Sequence, residues 1–267
     1  MMNKVSDQEI KRRELEILKF IDSFCRKNDI TYFLAYGTLI GAIRHNGFIP
    51  WDDDIDIVMK REDYEKFKEL FIDESLQYKM LNIDTNKEYY YPFIKIVDTE
   101  TRVSEIDFKK IPDLGVWVDI FPLDNYSPKL MKFNSIELNK RKHLLARSTK
   151  FIKTKSTFKN IIKFFSFLLY KNKNPRKYAI NLEQMGRRSK NKSDLLCVLF
   201  PCKIRKNLFR TQWYDEVIEH KFEDGMFYIP KNYDQILTSY YGNYMEYPPI
   251  EQRNSGHNID VYFNTDE

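Results

Sequence analysis

The apolar positions open with helical spacing. Ile10, Ile17, Ile21 and Phe24, with Leu18 and Cys25 alongside, fall on one face of an amphipathic helix predicted over 7–27. Ser6 and Glu9 supply the S-x-x-E capping box at its start, and Asn28-Asp29 end it. The run ITYFLAY over 30–36 reads as a buried strand closing at Gly37, and a short helix over 38–45 leaves that glycine. After a turn through Asn46, Gly47 and Pro50, DIDIVM over 54–59 alternates strictly, as in a strand with one polar and one apolar face. A helix over 62–71 and strands over 78–81, 92–97, 101–106 and 115–121 follow. Strands outnumber helices here, so the predicted fold class is α+β.

Beyond this region the pattern changes. About 128–200 reads as helix with basic faces. The last stretch is rich in aromatics and carries turn signals at Asp224-Gly225, Tyr241-Gly242-Asn243 and Pro248-Pro249. The predicted organisation is a core over 1–127, a basic helical segment over 128–200 and a C-terminal region over 201–267 that completes the site. There is no internal repeat or heptad run.

Charge sharpens that division. Between Leu138 and Leu182 stand 13 Lys or Arg and no Asp or Glu, which leaves 31 basic against 39 acidic residues elsewhere. Such asymmetry predicts an anionic partner for the basic part. Phe158, Ile161, Ile162, Phe164, Phe165, Phe167, Leu168 and Leu169 lie between its lysines, a pattern that fits an interfacial helix on an anionic membrane surface. It fits a core helix with a solvated lysine face equally well. Basic residues among aromatics also suit single-stranded nucleic acid. No RNA-binding motif is present and a pure binder has no use for clustered aspartates, so no nucleic acid is expected.

With 267 residues, 42% of them apolar and 31% charged, the chain can bury a core without a staple. Cys25, Cys197 and Cys202 form no CxxC pair and are expected to be reduced thiols in a cytoplasmic compartment. The first ten residues hold no continuous apolar stretch and no run approaches 18 apolar residues. Neither a secretory signal nor a transmembrane helix is expected.

The chemistry concentrates in Trp51-Asp52-Asp53-Asp54-Ile55-Asp56. Residues two apart in a strand share a face, so Asp54 and Asp56 are expected to point the same way, joined by Asp52 if the strand starts early. Carboxylates about 7 Å apart along one face repel unless water or a hard cation lies between them, most simply Mg²⁺ or its substitute Mn²⁺. Asp119, alone in the apolar run Val116-Trp117-Val118-Asp119-Ile120-Phe121, is the natural further member. The plainer reading is a solvated acidic turn with Asp119 at an edge or paired to an arginine. Gly37-Thr38 at a strand-to-helix junction weighs against it, because glycine admits a phosphate closely and a helix N-terminus donates N–H groups to it. A phosphate cradle beside a metal site is what phosphoryl transfer requires.

The run from Tyr32 to His45 (YFLAYGTLIGAIRH) and Gly47-Phe48-Ile49-Pro50-Trp51-Asp52-Asp53-Asp54-Ile55-Asp56 resembles the signature of the LicD family, which includes the fukutin-related proteins. The resemblance continues through Arg61-Glu62-Asp63-Tyr64, Lys95-Ile96-Val97-Asp98 and Val118-Asp119-Ile120-Phe121-Pro122-Leu123-Asp124. It resumes with Phe222-Glu223-Asp224-Gly225, Ile229-Pro230, Tyr241-Gly242-Asn243-Tyr244-Met245, Pro248-Pro249, Gln252-Arg253 and His257. It spans most of the chain except the basic middle. The resemblance implies a nucleotidyltransferase-like mixed sheet and transfer of a phospho-substituent from a CDP-linked donor to a sugar hydroxyl. Its best-known bacterial members resemble phosphocholine transferases acting on teichoic acid or lipopolysaccharide.

The expected reaction is therefore Mg²⁺-dependent movement of phosphocholine from CDP-choline to a glycopolymer or its lipid-linked precursor, with CMP leaving. Asp52, Asp54, Asp56 and Asp119 are the expected metal ligands, with Asp54, Asp56 and Asp119 catalytic. Gly37, Thr38, Arg44, Lys95, Arg253 and His257 are expected to bind substrate. Another CDP compound (CDP-glycerol, CDP-ribitol) or an NTP as donor is the alternative. A choline headgroup favours aromatic faces, and Trp51, Trp117, Tyr89 to Tyr91, Tyr241 and Tyr244 are available, though core packing accounts for most aromatics. The expected location is the cytoplasm, peripheral on the inner face of the plasma membrane in the membrane reading.

Overall fold

The computed structural model describes residues 3–71, 77–105, 108–128, 160–161, 164–165, 168, 174–189, 192–199, 207–253 and 259–264. Helix α1 (Asp7–Lys27) has its predicted bounds, with the Ser6 hydroxyl accepting from the Glu9 N–H at 3.3 Å. Acidic Asp7 and Glu9 in its first turn and basic Arg26 and Lys27 in its last suit the helix dipole. Strand β1 (Phe33–Leu34) is shorter than predicted, because Tyr36 takes a left-handed φ of 47° and begins α2 (Tyr36–His45). Strand β2 (Asp56–Lys60) runs directly into α3 (Arg61–Leu70), and β3 (Tyr78–Leu81), β4 (Ile94–Asp98), β5 (Thr101–Glu105) and β6 (Trp117–Asn125) follow.

The main sheet has the order β1-β2-β6-β4-β3. Only β2 and β6 run parallel; the other neighbours are antiparallel, so the sheet is mixed and the architecture α+β. Side-chain alternation divides it into two faces. Leu34, Ile57, Ile94, Ile96, Val118 and Ile120 enter the larger core, which α1 and α3 cover with residues such as Ile17, Leu18, Ile21 and Phe67. Phe33, Val58, Phe93, Phe121 and Leu123 enter a second core with Leu196, Phe209, Tyr214 and Ile236. Asp56, Lys95 and Asp119 alternate onto that second face, and this puts polar chemistry inside an apolar layer.

Helix α4 (Arg176–Arg188) falls in the region expected to be helical, but β7 (Leu195–Cys197), in the same region, is a strand. Its backbone completes the end of β6, with Asn125 opposite Leu196, so a free sheet edge decides the conformation of an apolar triplet. Strand β8 (Leu208–Arg210) continues the sheet from β7. Strands β9 (Val217–Phe222) and β10 (Gly225–Pro230) form a hairpin turning at Glu223-Asp224, where the sequence signals a turn. Helix α5 (Tyr233–Tyr241) follows, and β11 (Ile259–Phe263) pairs with β5.

Most of 138–182 and Cys202 lie outside the described residues. Within the basic segment, 160, 161, 164, 165 and 168 are helical. Ile161, Phe164, Phe165 and Leu168 are exposed there at i, i+3, i+4, i+7 spacing. Among the described residues no helix is long and apolar enough to cross a membrane.

Candidate active site

Strand register sets the centre of the site. Asp56 on β2 lies opposite Asp119 on β6, and Asp119 in turn lies opposite Lys95 on β4. Register partners share a face, so Asp56, Asp119 and Lys95 form one row across three strands. Lys95 Nζ donates to Asp119 Oδ1 at 2.7 Å, with both residues buried. The ammonium also faces the ring of Trp117 at 4.0 Å, with Tyr91 at 5.1 Å and Phe93 at 5.4 Å. These π-faces and Asp119 together replace the water that a buried cation loses.

Burial, reinforced by the charges of Asp54, Asp119 and Asp52, holds the Asp56 carboxyl well above the usual carboxylate range; Lys95 opposes that rise. The Asp56 backbone is fixed independently of its charge. Its N–H donates to Thr38 Oγ1 at 2.8 Å and its carbonyl accepts from the Ala35 N–H at 2.9 Å. Thr38 therefore anchors the start of β2, and its hydroxyl keeps its own proton for another partner. Next to it, a Cβ on Gly37 would collide with the Asp52 carboxylate. Glycine is required here for close approach to a carboxylate.

The acidic residues just before β2 do not follow the expected alternation. The ladder begins at Asp56, and the chain ahead of it is a turn in which the Asp52 N–H donates to the Ile49 carbonyl at 3.0 Å. Lys11 on α1 ties the turn down, its Nζ donating to the carbonyls of Ile49 at 3.4 Å and Pro50 at 3.2 Å. Asp53 nevertheless comes to the same side as its neighbours. One carboxylate oxygen each from Asp52, Asp53 and Asp54 lies within 4.8 Å of the others. Asp52 is also shifted upward, first by burial and then by Asp53. An all-oxygen donor set of this spacing fits a hard divalent cation.

Two arginines form the rim. Arg44 Nη1 donates to the carbonyls of Tyr244 at 2.7 Å and Glu246 at 3.2 Å, with its guanidinium 4.7 Å from the Tyr247 ring. Arg253 faces the same ring at 5.4 Å and the Trp51 ring at 5.2 Å. His45 packs edge-on to both rings. Two cations gathered on one aromatic cluster beside the acidic turn suit an anionic ligand. His257 lies outside the described residues.

Residues 29–161 match the family model described as LicD/FKTN/FKRP, nucleotidyltransferase domain. The lipopolysaccharide cholinephosphotransferase LicD of Haemophilus influenzae is 30% identical over 277 aligned positions, covering 98% of this chain and 99% of that protein. The chain belongs to the LicD family. Two shorter matches are to uncharacterized proteins of Rickettsia. One, from Rickettsia typhi, is 31% identical over 50% of this chain and 46% of its own; the other, from Rickettsia prowazekii, is 32% identical over 50% and 55%.

Some residues in LicD-like motifs hold the fold. Arg61 Nε and Nη2 donate to Asp124 Oδ1 and Oδ2 at 2.7 and 2.9 Å, and Arg61 Nη1 donates to Glu183 at 2.8 Å. A Cβ on Gly186 of α4 would collide with that pair, so the helix seats on it directly. Asp98 is likewise ion-paired, to Arg13 of α1. Of the aromatic candidates, Tyr89, Tyr90 and Trp117 are buried in the core, and Trp51 packs its ring on the rim cluster. Sequence reasoning missed Tyr247, whose only signal is its position between two LicD-like motifs. It also missed Asp53, because alternation pointed it away.

Proposed function

We propose that this chain transfers phosphocholine from CDP-choline to a sugar hydroxyl of lipopolysaccharide or its lipid-linked precursor, releasing CMP. The row of Asp56, Asp119 and Lys95 beside the Asp52–Asp54 turn carries the chemistry. Near-full-length similarity to a lipopolysaccharide cholinephosphotransferase supports the donor and acceptor classes. In this reading the acceptor oxygen bonds to the choline-bearing phosphorus as the bond from that phosphorus to the CMP phosphate oxygen breaks.

Asp54, Asp56 and Asp119, with Asp52, would hold Mg²⁺, which would neutralise the donor pyrophosphate. Asp119 takes the proton of the acceptor hydroxyl, while Lys95 keeps it oriented and its charge balanced. Arg44 and Arg253 receive donor phosphate charge, and Gly37 and Thr38 cradle a phosphate. Positioning and charge neutralisation supply most of the rate in such transfers. Asp54→Asn or Asp56→Asn is expected to abolish transfer while leaving the circular dichroism spectrum and melting unchanged or improved. An active, folded Asp56→Asn protein refutes the assignment.

The deciding measurement is calorimetric binding of CDP-choline, CDP-glycerol, CDP-ribitol and CTP with and without Mg²⁺. A Mg²⁺-dependent preference for CDP-choline supports phosphocholine transfer. Preference for another CDP compound keeps the chemistry and changes the substrate, and no nucleotide binding overturns the reading. We place contact with an anionic membrane on the basic segment over 138–182, where a lipid-linked acceptor would be met.

A further inference from the structure

A corner of three tyrosines adjoins Asp56, outside the groups that handle phosphate and proton. The Ala35 N–H donates to the Asp56 carbonyl at 2.9 Å and Thr38 Oγ1 accepts from the Asp56 N–H at 2.8 Å, so Tyr36 leaves the chain between the two anchors of that residue. Its left-handed φ of 47° is strained for a tyrosine. Its ring sits edge-on to Phe121 at 5.8 Å, and Phe121 lies two residues along β6 from Asp119 on the same face. The Tyr36 hydroxyl donates to Oδ1 of the fully buried Asn207 at 3.0 Å, which fixes the ring. Tyr240 and Tyr241, at the end of α5, complete the corner. The Tyr36 and Tyr240 rings lie 5.3 Å apart at 62°, and those of Tyr240 and Tyr241 lie 4.6 Å apart at 57°. Phe209 backs Tyr240 at 6.5 Å, nearly parallel to it. Tyr36 and Tyr240 are half-buried and Tyr241 is 41% exposed, so the corner opens to solvent.

We propose that Tyr36, Tyr240 and Tyr241 form the subsite for a quaternary ammonium headgroup. The assignment deepens the proposed transfer and rests on it for the identity of the headgroup. A quaternary ammonium has no N–H, so it cannot donate a hydrogen bond to a carboxylate, and inclined aromatic faces are the surface that selects it. The second aromatic set near the catalytic row, Trp117, Tyr91 and Phe93, already holds the ammonium of Lys95. Lys95 stands at the β4 end of that row and Asp56 at the β2 end, so a ligand cation is repelled from the first and meets a carboxyl group at the second. Same-face rows of a strand are about 7 Å apart. A phosphorus held beside Asp56 thus leaves the corner within reach of the two-carbon arm that carries the nitrogen.

The test is binding of choline to the full chain without nucleotide, compared with its uncharged isostere 3,3-dimethylbutanol. Broadening of each methyl singlet in proton NMR reports binding. Choline is expected to bind more tightly than the isostere. Tyr240→Leu and Tyr241→Leu should each weaken choline by roughly three- to thirtyfold and leave the isostere nearly unchanged, while Tyr240→Phe and Tyr241→Phe should restore choline binding. Equal binding of choline and isostere by the unmodified chain overturns the proposal, as does absence of choline binding. Leucine variants that bind choline as well as the unmodified chain, or phenylalanine variants as weak as the leucine ones, overturn it too. If Tyr240→Leu fails to fold, Tyr241→Leu, on the exposed edge, decides alone. A chain that prefers CDP-choline without ring-dependent choline binding keeps the transfer and loses the corner. One that prefers another CDP compound while Tyr240 and Tyr241 govern choline binding keeps the ammonium site and loses phosphocholine transfer.

Discussion

Replacing Lys95 with methionine removes an ammonium that is 3% exposed and 2.7 Å from Asp119, while keeping an unbranched stem against Trp117, Tyr91 and Phe93. At an effective dielectric of about 20, unit charges at that separation attract by roughly 6 kcal/mol, and desolvation of both groups offsets much of it. Removing one partner exposes the remainder, because Asp119 stays buried in the apolar layer beside Asp56. The expected loss is about 3–5 kcal/mol, or roughly 6–20 °C in melting temperature for a chain of this size. Asp119→Asn is expected to cost less, since it also relieves repulsion with Asp56. The double variant Lys95→Met/Asp119→Asn should be more stable than the sum of the two changes implies, by about 2 kcal/mol or more. Urea unfolding of the four proteins in EDTA reads the cycle. A Lys95→Met protein within about 1 kcal/mol of the unmodified chain, or strict additivity, refutes the claim that this pair neutralises a buried charge.

Three further outcomes follow from the same geometry. Thr38→Val leaves the Asp56 N–H without its acceptor and should lower unfolding free energy by about 1–3 kcal/mol, whereas Thr38→Ser should restore most of it; equal values for the two refute the anchoring role. Asp56 keeps its proton above the usual carboxylate range, so without a cation the folded state holds a proton that the unfolded chain has released. Stability should therefore fall as pH rises from the ordinary carboxylate range through the raised one, while Mn²⁺ affinity should climb. Measurement across about pH 5–8 checks both slopes, and slopes unchanged in Asp56→Asn remove Asp56 as their source. Vesicles containing anionic lipid should co-sediment the chain at low salt and release it at high salt; no binding, or binding indifferent to salt, rules out the electrostatic membrane contact.

Much of the fold is legible in the sequence where one local signal suffices. Ser6 and Glu9 mark the start of α1, and alternating Ile55 and Ile57 mark the inward face of the sheet's first acidic strand. Asp224-Gly225 marks the hairpin between β9 and β10, although its strands are not evident from their own residues. Local pattern fails where a distant partner decides. Leu195-Leu196-Cys197 becomes a strand because the end of β6 offers it an edge. Tyr36 leaves the predicted strand because the chain must turn there into α2, and a left-handed tyrosine costs about 1–2 kcal/mol that its contacts with Tyr240, Phe121 and Asn207 offset. For the site, alternation puts Asp56 on the polar face of its strand, and the apolar run around Asp119 marks that residue as exceptional. No sequence pattern can reveal that β2, β6 and β4 align these two with Lys95.

The two halves of the site are held by different means, and this has a consequence for its chemistry. Asp56, Asp119 and Lys95 take their positions from hydrogen-bonded ladders, whose register moves only if strands slip. Asp52, Asp53 and Asp54 take theirs from a turn pinned by the Ile49 carbonyl, the Lys11 ammonium and the Gly37 surface. A rigid row can keep a proton acceptor aligned with an incoming hydroxyl through repeated turnovers. A turn made of like charges has no comparable stiffness, since its repulsion favours opening whenever no cation is bound. Divalent cation should thus order the turn far more than the sheet. Amide exchange should slow at 51–55 on adding Mn²⁺ and stay nearly constant at 117–121. Equal protection of both segments with and without the ion would show that the turn is already as rigid as the sheet, and that the carboxylates are held by protein contacts alone.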